Sequence, residues 1–142
     1  LGLLGIGIPD IPLLIAVIVR TVNEIALSYG FNYESEEEKT YLLSIICGAV
    51  TKGDVQREFD QRINSLGMAM DTNIEIKTQV QEEMKVTAGI LSEALLTAKF
   101  IQGIPIVGIV GGVVNHNIIS KIAKYAKLKY KKRYLLKKAN DI

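Results

Sequence analysis

The run Asp10-Ile11-Pro12-Leu13-Leu14-Ile15-Ala16-Val17-Ile18-Val19-Arg20-Thr21-Val22-Asn23-Glu24-Ile25-Ala26-Leu27-Ser28-Tyr29-Gly30 decides the fold class. Asp10 can accept from the first free amides of a helix, and Pro12 is tolerated in a first turn, where its missing N–H costs nothing. From Ile11 to Tyr29 the only charges are Arg20 and Glu24, four apart and so on one face. Gly30 is a natural stop. The run reads as a helix buried on most of its sides.

Outward from it, the signals remain helical. Ser35 followed by Glu38 forms a capping box, and the acids at 36–38 suit the positive end of a helix dipole. That second helix is expected to reach about Val50, with the chain restarting at Gly53–Asp54. Val55, Phe59, Ile63, Leu66 and Met70 then recur at helical spacing, with a break around Met68–Asn73. Ile76, Val80, Met84, Leu91 and Leu95 predict a fourth helix to Phe100 or Ile101, ended by Gly103 and Pro105. An apolar segment, Ile106–Val114, precedes a helix over roughly Asn115–Lys138. No stretch alternates as a strand would. The expected fold is all-α: a compact bundle of five or six helices, with a Gly/Pro-rich apolar hairpin before a basic C-terminal helix. Its core is expected from the Ile11 helix and the Gly-rich 103–114 segment. Residues 1–142 read as one domain, and the opening at Leu1 within an apolar run reads as a piece of a longer protein.

The net charge of +2 conceals a segregation. Residues 34–93 carry twelve acids and six bases, whereas residues 121–138 carry nine Lys or Arg and no acid. Neither apolar stretch makes a simple membrane span, which needs about 20 uninterrupted residues. Leu1–Val19 is broken by Pro9, Asp10 and Pro12, and the uncharged Gly103–Val114 is too short. A core helix or an interfacial hairpin fits both better. The single cysteine, Cys47, excludes an internal disulfide and a cysteine-based zinc cluster, and its apolar setting predicts a buried thiol.

Two blocks carry a resemblance. The first is Gly7-Ile8-Pro9-Asp10-Ile11-Pro12-Leu13-Leu14, running on through Arg20, Glu24-Ile25-Ala26 and Tyr29-Gly30. The second is Ile104-Pro105-Ile106-Val107-Gly108 through Gly111-Gly112-Val113-Val114-Asn115, leading into the basic helix. In order and spacing the two together resemble the EcsC family, a bacterial family named for a gene neighbouring an ABC transporter. The resemblance implies an α-helical, cytoplasmic or membrane-associated protein and carries over no catalytic residues.

The candidate sites follow from charge and spacing. In the basic helix, Ile119, Ile122, Ala126, Tyr130 and Tyr134 make one stripe, with lysines on the other sides. Lys121, Lys124, Lys127, Lys131, Lys132, Arg133, Tyr130 and Tyr134 are the expected contact residues for an anionic membrane surface or a membrane protein. Nucleic acid is a weaker rival. Asp10, Arg20, Glu24 and Asn115 are read as a structural polar cluster holding helices in register. Gly108 and Gly112, a small-xxx-small pair, are read as close-packing glycines. Gly103, Gly108, Gly111 and Gly112 lack the Gly-Lys-Ser/Thr ending and the preceding strand of a phosphate loop. His116, the only histidine, lacks companions for zinc, and no nucleophile elbow accompanies Ser44 or Cys47. No cofactor and no catalytic residue is expected. The function expected is that of a membrane-associated accessory or regulatory protein, located in the cytoplasm against the inner face of the cell membrane. The alternatives are a lipid- or peptide-directed hydrolase using His116 with Ser44 or the Arg20–Glu24 pair, and a soluble helical scaffold.

Overall fold

A computed structural model describes the backbone of residues 11–75, 79–101 and 113–140, and the side chains of residues 14–75, 79–94 and 118–140. The described residues form five helices: α1 (Ile11–Ser28), α2 (Glu36–Val50), α3 (Gly53–Asp71), α4 (Val80–Ile101) and α5 (Val113–Asn140). Among them there is no strand. The fold is all-α, as the periodicity required.

The helix ends show why the boundaries fall where they do. Past α1, Phe31 N–H donates to Ala26 O at 2.9 Å and Gly30 N–H to Leu27 O at 3.0 Å, a Schellman closure. It requires a left-handed residue, and Gly30 has φ +87°. The same closure ends α3: Ile74 N–H donates to Ala69 O and Asn73 N–H to Met70 O. Here Asn73 takes the left-handed position at φ +60°. Ser35 caps α2 by accepting from Glu38 N–H at 3.1 Å. At the other end, the Thr51 hydroxyl donates to Cys47 O and the Gln56 amide to Gly48 O, satisfying carbonyls the helix leaves free.

Among the described residues the centre of the molecule is α2; the Ile11 helix expected in the core contributes one stripe to it, and the 103–112 part of the other expected core segment lies outside the described residues. Every residue from Thr40 to Ala49 is buried. This stretch, Thr-Tyr-Leu-Leu-Ser-Ile-Ile-Cys-Gly-Ala, has no charge and only small polar groups, so neighbours can enclose it without stranding an ion. Contacts set the directions around it. Glu38 meets Arg133, Tyr41 meets Lys129 and Gly48 meets Tyr125, so α2 and α5 are antiparallel. Ser44 meets Glu83 and Cys47 meets Thr87, so α4 runs parallel to α2.

The outer helices bury one stripe each. On α1 that stripe is Leu14, Ile15, Ile18, Val22 and Ala26, while Val17 and Leu27 are exposed, so α1 is amphipathic and not buried on most sides. On α3, Ile63 and Leu66 are buried and Phe59 and Met70 pack against the core, but Val55 faces water. On α4 the inward positions are Val80, Glu83, Thr87 and Leu91, and Met84 is exposed. Both registers have helical spacing. The polar one is buried because Glu83 finds partners there, as described below. Ile76, the side chain of Leu95 and residues 103–112, where a hairpin is expected, lie outside the described residues. The close approaches seen are at Gly48 and Gly67. A methyl at Gly48 would sit 2.8 Å from Tyr125 Oη, and one at Gly67 would sit 3.1 Å from both Arg133 Cδ and Tyr41 Cε1.

Candidate functional site

The basic helix is two-faced, and its inner face is an ion ladder. Tyr125, Lys129 and Arg133 fall at i, i+4 and i+8, so they stack on one side of α5. They meet Asp60, Asn64 and Asp71 of α3, which runs parallel to α5. The Tyr125 hydroxyl donates to Asp60 Oδ1 at 2.6 Å, and the Lys129 ammonium lies 2.6 Å from the same oxygen and 3.1 Å from Asn64 Oδ1. Hydrogen bonds from Lys129 and then Tyr125 hold the Asp60 carboxyl below the usual range.

At the end of the ladder Arg133, 5% exposed, sits in a double clamp. Its guanidinium donates to both Glu38 oxygens at 3.0 Å, and to Asp71 at 3.1 and 2.7 Å. Its plane also lies over the Phe31 ring at 4.0 Å and the Tyr41 ring at 4.5 Å. Burial opposes its charge, but the bonds to Asp71 and Glu38 outweigh that and hold it protonated. Tyr130, 1% exposed, packs edge-on against Tyr41 with ring centroids 5.3 Å apart. Arg133 and Tyr130 are therefore corrected from contact residues to core residues. The stripe Ile122, Ala126 and Tyr130 is the inner seam of α5, with Ile119 and Tyr134 half-buried at its edge.

The outer face keeps the remaining candidates. Lys121, Lys124, Lys127, Lys131 and Lys132 are all exposed. Between them stand two leucines that sequence reasoning missed: Leu128, 67% exposed, and Leu135, 53% exposed. The available signal was their seven-residue spacing, which places both opposite the buried stripe. No Asp or Glu occurs anywhere in α5.

Beneath α2 lies a second polar cluster. The Glu83 carboxylate, almost fully buried, lies 2.6 Å from the half-exposed Arg62 guanidinium and accepts from the Ser44 hydroxyl at 3.4 Å. Thr87 donates its one hydroxyl proton to Glu83 O at 2.7 Å, so the Cys47 thiol must be the donor in its 3.3 Å contact with Thr87. Burial pushes that thiol up to about 11. Ser44, Cys47 and Thr87 are all 0% exposed. A hydroxyl and a thiol sealed from solvent are not placed to meet a substrate.

The polar cluster expected on α1 is not a buried one. Arg20 and Glu24 are both exposed. Asp10, Gly108 and Gly112, and the side chains of Asn115 and His116, lie outside the described residues. Among the described residues, no helix is long and apolar enough to cross a membrane.

Comparison with known proteins adds to this geometry. The chain is 24% identical over 135 residues to the uncharacterized protein YdbA of Bacillus subtilis (strain 168), an alignment covering 93% of this chain and 48% of that protein. The chain thus spans about half the length of the curated relative it matches. No solved structure matches it. The sequence profile of the EcsC protein family matches residues 1–135, taking in both Gly/Pro blocks and most of α5. On that match, which covers nearly the whole of this helical chain, the protein belongs to the EcsC family.

Proposed function

We propose that this chain is a peripheral, non-enzymatic accessory protein that docks on an anionic membrane surface through the outer face of α5. The observation that carries the reading is the division of labour on that helix. Arg133 and Lys129 are consumed by Glu38, Asp71 and Asp60, whereas Lys121, Lys124, Lys127, Lys131 and Lys132 point outward with no acid on the helix to neutralise them. Anionic headgroups attract such lysines by about 1 kcal/mol each. The anionic cytoplasmic leaflet of the cell membrane is the matching surface.

Flotation with vesicles of phosphatidylglycerol and phosphatidylcholine tests it. Replacing Lys121, Lys124, Lys131 and Lys132 by Glu is expected to lower binding by at least about a thousandfold, since four contributions of ~1 kcal/mol are lost and repulsion is added. Binding equal to wild type would remove the proposal. All four side chains are exposed, so the fold is expected to survive the exchange.

A further inference from the structure

We infer that Leu128 and Leu135 are apolar anchors that enter the acyl boundary of the bilayer, so that the docking of α5 is insertion as well as charge attraction. The inference rests on the membrane reading above and goes beyond it by assigning the depth of contact.

Residues seven apart on an ideal helix differ by only about 20° around the axis, so the two leucines form one short ridge. At 1.5 Å per residue they stand roughly 10 Å apart along it. Lys124 and Lys131, four and four residues before the leucines, fall on one flank of the ridge, while Lys121 and Lys132 fall on the other. Leu128 is the most exposed of the large apolar side chains described. An apolar ridge between two rows of lysine is what the interface of an anionic bilayer accommodates: the leucines below the headgroups, the ammonium groups reaching back to the phosphates on flexible stems.

Charge argues against the other occupants. A second copy paired through the same face would set lysine rows against lysine rows, and the positions between the leucines carry Lys131 and Lys132 where a coiled-coil seam needs apolar residues. Nucleic acid would satisfy the lysines but would gain nothing from burying the ridge.

The chain has no tryptophan, so a single introduced indole reports its own surroundings. Leu128→Trp and Leu135→Trp variants of this chain are titrated with vesicles of equal parts phosphatidylglycerol and phosphatidylcholine. Met68→Trp, exposed on α3, is the reference. Both leucine-site variants are expected to shift to the blue and to be quenched by brominated acyl chains, with no change for Met68→Trp. In parallel, Leu128→Ser/Leu135→Ser is expected to bind about a hundredfold more weakly, roughly tenfold per leucine. The loss is expected to be most visible at about 0.5 M salt, where screening removes most of the lysine contribution. If the indoles stay water-like while flotation shows the protein bound, or if the double Ser variant binds as wild type at both salt levels, the anchors are refuted and the charge-based reading survives. If wild type fails to bind even at about 50 mM salt, where screening is weak, both fall together. Discrete dimers or nucleic-acid binding lost in the double Ser variant would also overturn the assignment.

Discussion

Arg133 shows how one residue takes its role from its surroundings. Its guanidinium satisfies two carboxylates and covers two aromatic faces while almost wholly withdrawn from water. Removing one partner of a buried ion cluster costs about 3–5 kcal/mol, because the charges left behind have neither water nor counter-ion. Arg133→Ala is therefore expected to lower unfolding free energy by that amount in urea titrations. Arg133→Lys should recover only a minor part, since a point charge cannot form two bidentate pairs. Asp60 gives a prediction in pH. Its folded pKa is depressed by Lys129 and Tyr125, so its contribution is present above the unfolded value of about 3.9 and is lost as pH falls through the lower folded value. Urea midpoints measured from neutrality downward should therefore drop less steeply below about pH 4 in Asp60→Asn than in wild type.

At the scale of elements, the central helix is set by what it lacks. Ten consecutive uncharged residues allow α2 to be surrounded, and Gly48 lets Tyr125 of α5 lie directly on its backbone. Gly48→Ala would place a methyl 2.8 Å from the Tyr125 hydroxyl, forcing the ring away and breaking its bond to Asp60. A cost of about 1–3 kcal/mol is expected, as for overpacking elsewhere. Gly89 of α4 is the contrast: exposed, helical and with nothing within 4 Å of an added methyl. Gly89→Ala should stabilise by up to about 1 kcal/mol. Thermal melts of the two variants are expected to move in opposite directions. The element ends were legible beforehand because caps are local: Ser35, Gly30 and Gly53 each act within a few residues. One detail was not. Glu38 sits where a capping box would turn it back on Ser35, yet its carboxylate serves Arg133, 95 residues away.

For the whole molecule, charge separation gives an orientation. The acids of residues 34–93 lie in or beside α2–α4, and five exposed lysines lie on the outer face of α5, so that face is the one an anionic surface attracts. The sequence by itself determined the helical periods of α1–α5, most of their ends, the charge segregation, the buried thiol and the family, because each depends on residues close in the chain or on a fixed pattern of them. Only the tertiary structure decided which face of each period is inside. On α4, spacing allowed either Met84 or Glu83 to point inward, and Arg62 and Ser44 settled it for Glu83. On α5, tyrosine and arginine among lysines read as surface until Glu38, Asp71 and Tyr41 supplied partners that drew Arg133 and Tyr130 into the core. Burial of a polar group depends on a partner brought from far along the chain, and no local pattern names that partner.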